Sequence, residues 1–272
     1  MRCLMSCLLG LSLIGCSGQI QQNTAPPKNI SNHSYQADES MTQKEQTELN
    51  SLFSNTNNSN SMDKKQDDSP STNKQKIILD VPIIKQLPEL QNGCEVTSLA
   101  MVLQYTGIKV DKMELAKQVP KDKDPVSKNK KGDIINWGNP NHGFVGDITG
   151  KNIGFAIYAK PLETLMNRYL PDRTVNLTGK AFEALLQQVE NQKPVLVWTT
   201  GDFKTPDRRE SWNHGVEKIQ TALDLHVVVL TGFDSDYVYV NDPLTGGKNQ
   251  KVNKQSFILS WNELGKQALS YR

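Results

Sequence analysis

Residues 86–107 read QLPELQNGCEVTSLAMVLQYTG: a loop marked by Pro and Gly runs into an apolar segment that starts near a cysteine. Val96, Leu99, Ala100 and Leu103 recur at i, i+3, i+4 and i+7, so the spacing predicts a helix, and Gly107 is placed to stop it. Cys94 then stands at or beside the helix N-terminus. Unpaired backbone N–H groups and the helix dipole favour an anion there, which favours thiolate over thiol.

The first residues decide how many cysteines the working protein keeps. Met1 to Gly15 carries one early cation, Arg2, and an apolar run from Cys3 to Ile14. That run is shorter than the roughly 20 helical residues that span a bilayer and reads as an export signal. Its end, Leu13-Ile14-Gly15-Cys16, resembles the lipobox of bacterial lipoproteins. The resemblance implies cleavage before Cys16, lipid on its thiol, and anchorage to the outer face of the cell membrane. Of the four cysteines, Cys94 is then the only free thiol left. An exported domain with one cysteine has no internal disulfide, and a leftover thiol there is either buried or used.

Residues 16–76 are rich in Gln, Asn, Ser, Thr, Lys and Asp and cannot repay their ordering entropy by burial. They read as a lipidated tether of about 40–45 Å mean span, with room for a short helix near residues 38–53. His33 lies in it. The folded domain is expected over 77–272. It starts with an extended segment at Lys76–Ile84, and Asp111 can cap a second helix to Val119. Residues 120–152 read mostly as a glycine-punctuated loop, a lid or binding surface carrying Trp137, His142 and Phe144. Helical periodicity covers Pro161–Leu170 and Lys180–Asn191, and Gln255–Lys266 reads as a closing helix. Three β-branched runs, Pro194–Thr199, His226–Thr231 and Tyr237–Val240, read as strands, the last two joined as a hairpin through GFDSD. The fold class is α+β, in one domain. The net charge of +2 gives no reason to expect nucleic acid as a partner.

A cysteine nucleophile needs a base for its proton and a third group to orient that base. Among the four histidines, His226 has the best setting, at the head of a strand. The next strand ends Asn241-Asp242-Pro243, and either Asn241 or Asp242 is available to the second ring nitrogen. The stretches PELQNGCEVTSLAMVL, GNPNHGFVGD and HVVVLTGFDSDYVYVNDP resemble the stand-alone relatives of the bacteriocin-processing (double-glycine leader) cysteine peptidases, which are papain-like. The similarity runs from about Leu79 to the C-terminus. It implies a papain-like α+β fold, Cys94 as nucleophile, His226 as general base and acid, Asp242 as orienter, and Gln86 as an N–H donor to the oxyanion.

Two features depart from the transporter-fused members. Their glutamine lies nearer the cysteine, which makes Gln91 a rival to Gln86, and their cysteine is commonly followed by glycine where this chain has Glu95. No transporter or ATPase segment is present in the sequence, so the leader-peptide substrate does not carry over. Cys94, His142, His214 and His226 together would make a four-ligand metal set, but no pair has HExxH or CxxC spacing, and no metal or organic cofactor is expected. His142 reads as a rim residue and His214 as surface loop. Trp137 and Trp212 could line a peptide groove, although core packing is the plainer reading for at least one of them. The expected function is a lipid-anchored thiol hydrolase acting on a peptide or protein substrate. The alternatives are an acyl or peptidyl transferase on the same site and a non-catalytic surface-binding module.

Overall fold

Alternating and continuous runs of Val, Leu and Ile in the C-terminal half demand a sheet covered by helices, and the helix Cys94–Tyr105 supplies one cover. The computed structural model describes residues 76–272, which fall within one compact unit, Ser69–Arg272. The expected signal at 1–15, Cys16, the helix near 38–53 and His33 lie outside the described residues, as does all of the tether except Lys76.

In chain order the first elements are β1 (Ile77–Ile78), α1 (Cys94–Tyr105) and α2 (Lys112–Gln118). Four short strands follow: β2 (Lys121–Asp122), β3 (Ser127–Lys128), β4 (Ile134–Asn136) and β5 (Phe144–Val145). Then come α3 (Ala159–Tyr169), β6 (Thr174–Asn176), α4 (Phe182–Glu190) and β7 (Val195–Thr200). The last stretch holds β8 (Arg209–His214), β9 (Glu217–Ala222), β10 (Leu225–Phe233), β11 (Tyr237–Asp242), β12 (Gly247–Asn253), α5 (Lys254–Glu263) and β13 (Ala268–Tyr271).

The main sheet runs β12-β11-β10-β7-β13-β6 with β1 added on β10, and its pairings are antiparallel. Every residue of β7 is buried, as are seven of the nine in β10, so these central strands need no polar face. Helix α1 packs on β10 and β7, and its residues from Cys94 to Leu103 are all buried. It is therefore an internal helix, wider in its burial than the single stripe its spacing predicts, and its polar members Glu95, Thr97 and Ser98 are inside the protein. At its end, Gly107 takes φ +89, and the N–H of Ile108 returns to the Leu103 carbonyl at 3.1 Å. Asp111 caps α2 by accepting from the Glu114 N–H at 2.8 Å.

Three sequence expectations need correction. Residues 120–152 carry four short strands rather than loop alone: β2 pairs in parallel with β5, and β4 joins β3 to the β8–β9 hairpin. His214 ends strand β8 instead of lying in a surface loop. The chain closes on β13, inserted between β7 and β6, after α5 has ended at Glu263. Trp137 and Trp212 are buried with Val145 and Ile219 in a second, smaller core, the plainer of their two readings, and Trp137 also borders a cavity beside Asp122 and Gly146. Among the described residues no helix is long and apolar enough to cross a membrane.

Candidate active site

Cys94 is the first residue of α1, with Gly93 as its N-cap. A side chain at Gly93 would collide with Leu90, its Cβ coming within 2.5 Å of that of Leu90, so a residue without one lets the loop turn into the helix. One turn later on α1, the Ser98 hydroxyl donates to the Val227 carbonyl at 3.0 Å. The N–H of Val227 is directed at the Cys94 sulfur. Helix α1 and strand β10 are thus tied to each other at Ser98 and Val227, beside the two candidate residues Cys94 and His226.

Strand register brings the third residue. Asn241 lies opposite Val229 in the β10–β11 pair, which puts Asp242 on the sheet face shared by Val228 and His226. His226 Nε2 and Asp242 Oδ1 are 2.7 Å apart, and both side chains are almost fully buried. Asn241 is committed elsewhere: its amide donates to the carbonyls of Val81 and Pro82, and its oxygen accepts from the Asn249 N–H. Burial opposes ionisation of Asp242. The hydrogen bond and charge of His226, with the Thr245 hydroxyl and the Leu244 N–H, outweigh it and hold the carboxyl at about 2. An ionised Asp242 on Nε2 leaves Nδ1 as the ring nitrogen able to exchange a proton.

Gln86 is buried, and its backbone N–H is tied to the Pro243 carbonyl at 2.8 Å, beside Asp242. Its side-chain amide donates to the Gln91 carbonyl at 2.8 Å, while its Oε1 is buried without a partner among the described residues. One of the two amide hydrogens is used by Gln91; the second remains. The Gln91 side chain is turned to Gly150 instead. The two glutamines thus have different settings, Gln86 within the Cys94 loop and Gln91 on its outer side.

The residue that sequence reasoning left without a role is Glu95. Its carboxylate is fully buried, with Oε1 accepting from the Ile157 N–H at 2.9 Å and Oε2 accepting from the Cys94 thiol at 3.4 Å. Burial pushes this carboxyl up to about 7, against the opposing pull of the Ile157 N–H. Cys94 is affected in turn. Burial, then the negative charge of Glu95, raise the thiol well above its ordinary value, although the N–H groups of Val227 and Glu95 favour thiolate. The helix N-terminus alone therefore does not decide the ionisation of Cys94: burial and Glu95 favour the thiol over the thiolate. The one ionisable carboxylate of a mostly apolar helix, directly after the cysteine, was the available signal.

The model of the Peptidase_C39 like family matches residues 78–269, nearly all of the folded region just described. The chain belongs to that family. As a family member it is 42% identical over 193 residues to the uncharacterized protein YvpB of Bacillus subtilis, covering 70% of this chain and 74% of YvpB. A crystal structure from Bacillus anthracis, described as that of a C39-like peptidase, superposes with a TM-score of 0.66 at 42% identity. That match covers 73% of this chain and 98% of the other. The family member described here therefore has the papain-like α+β fold and a cysteine-peptidase-like scaffold.

The four-ligand set of Cys94, His142, His214 and His226 does not assemble. His142 and His214 gather instead with Asp122, in a group that contains neither Cys94 nor His226.

Proposed function

We propose that this protein is a cysteine peptidase that cleaves a peptide or amide bond through an acyl-enzyme on Cys94. The observation that carries the reading is the buried His226–Asp242 pair at 2.7 Å on the strand whose next residue, Val227, offers its N–H to the buried Cys94 thiol. Substrate binding draws the thiol proton from the Glu95 side to Nδ1 of His226. The sulfur then attacks the carbonyl carbon, and the electron pair of the C=O bond moves to oxygen. The remaining N–H of Gln86 donates to that oxyanion, a contribution of ~3 kcal/mol to the barrier for donors of this kind. Collapse breaks the C–N bond as His226 returns its proton to the leaving amine. Water, deprotonated by His226, attacks the thioester, and the acid product leaves with Cys94 restored as thiol. The Asp242 carboxylate keeps the ring in the tautomer that leaves Nδ1 free to accept.

The same reading places the enzyme outside the cell, held to the membrane by lipid on Cys16 and reaching its substrates on the tether. A peptide library digested by the full-length protein and read by mass spectrometry tests the activity. Cleavage lost in both Cys94→Ser and His226→Ala supports it. Absence of any cleavage, together with surface-ligand capture unchanged in Cys94→Ser, would favour a binding module instead.

A further inference from the structure

Away from the thiol, three chain segments bring metal-ligating side chains to one point. Asp122 ends β2, His142 sits in the loop before β5, and His214 ends β8. One ligand atom from each lies within 4.8 Å of the others. Asp122 Oδ2 is 3.3 Å from His214 Nε2 and 3.7 Å from His142 Nδ1. Asp124 Oδ2 approaches the same His214 nitrogen at 3.2 Å from the solvent side. We propose that Asp122, His142 and His214 bind a zinc ion, with the exposed Asp124 carboxylate, which contacts His214 but lies outside the three-residue group, moving in as the fourth ligand.

Three features support an ion rather than simple pairing. Two separations, Asp122–His214 at 3.3 Å and Asp124–His214 at 3.2 Å, match the edge of a tetrahedron, in which ligands at the ~2.0–2.1 Å zinc bond length stand roughly 3.3–3.4 Å apart, and the Asp122–His142 separation of 3.7 Å is a little longer. Next, two carboxylate oxygens converge on one imidazole nitrogen, which carries at most one proton and cannot give each a full hydrogen bond. A cation shared among them serves both oxygens and both rings. Finally, the carboxylate at the centre is held before any ion arrives. Asp122 Oδ2 accepts from the Asn139 N–H at 3.1 Å and Oδ1 from the Asp124 N–H at 3.0 Å, the outer contacts that orient a metal ligand. Gly143 allows the fit, since a Cβ there would come within 2.6 Å of the Asp122 backbone nitrogen and push the His142 loop away.

The donor set of two imidazoles and two carboxylates suits zinc. With four protein ligands it is a structural clip, joining the 120–146 segment to the β8–β9 hairpin. This proposal is independent of the reaction at Cys94.

The test uses the full-length protein with all four cysteines changed to Ser, stripped by chelator and titrated with ZnCl2 by calorimetry and with CoCl2 by visible absorption. The expected result is one saturable site that gives a tetrahedral cobalt band without thiolate charge transfer. His214→Ala and His142→Ala should each weaken it by more than the ~10–100-fold typical of losing an outer contact. Zinc should raise the melting temperature of the parent and leave that of His214→Ala unchanged. His142 is more than half exposed, so its variant keeps the test valid should His214→Ala fold poorly. Absence of a saturable site, or binding unchanged by both substitutions, overturns the proposal.

Discussion

Burial of Glu95 makes stability depend on pH. Its carboxyl rises from 4.5 to about 7 because it is fully buried. At ~1.4 kcal/mol per pH unit, that rise corresponds to on the order of 3 kcal/mol. The folded state keeps this proton to a higher pH than the unfolded chain does. The stabilisation is therefore complete below pH 4.5 and is lost as pH rises to about 7. Asp242, held at about 2, acts below its ordinary 3.8 and stays outside this window. Glu95→Gln keeps an acceptor for the Ile157 N–H and turns an amide N–H toward the sulfur. Urea unfolding from pH 4.5 to 8 should show the stability difference between wild type and Glu95→Gln changing across the window by on the order of 3 kcal/mol, the wild type losing more. Iodoacetamide should also alkylate Cys94 faster at pH 7 in the variant, because a negative neighbour has become a hydrogen-bond donor. A variant that retains the wild-type slope refutes the reasoning.

Other outcomes follow from the same geometry. Gln86→Ala should lower kcat on any cleaved peptide by about 100-fold with little change in KM, measured by steady-state kinetics. Asp242→Asn should slow acylation of Cys94 by ~100-fold or more. It should also remove the loss of stability that the wild type shows as pH falls from 3.8 toward 2, read by acid titration of circular dichroism. Trp212→Ala should cost about 3–5 kcal/mol in urea unfolding, since Trp212 fills the smaller core against Trp137 and Phe155 and its indole N–H donates to the Gly138 carbonyl. Asp111→Ala should cost ~1 kcal/mol by removing the α2 cap.

What could be read from the sequence was local. The Cys94 loop and helix, the capped α2 and the strands around His226 carry apolar periodicity or turn residues within a dozen positions of each other. Long-range or polar features were not visible in the same way. Strands β8 and β9, RESWNH and EKIQTA, expose polar residues on one side and have no continuous apolar run, so nothing in their composition separates them from loop. Four-residue β13 is too short for any period to register, and it is buried only because β7 and β6 lie on either side of it. Helix α1 showed a stripe because its apolar residues outnumber its polar ones. That Glu95 and Ser98 are also inside depends on β10 and on the Ile157 backbone, more than sixty residues away. Asp122 had no motif at all, because its partners His142 and His214 come from separate segments.

The role of Cys94 as a nucleophile served by His226 is tested most directly by an activated ester. Full-length protein with Cys3, Cys7 and Cys16 changed to Ser, mixed with p-nitrophenyl acetate, should release a burst of one nitrophenolate per chain, with the acetyl group mapped by mass spectrometry to the peptide containing Cys94. The burst should be absent in Cys94→Ser and collapse in His226→Ala. An acetyl group found elsewhere, or a burst of equal rate in His226→Ala, would contradict a thiol–imidazole site.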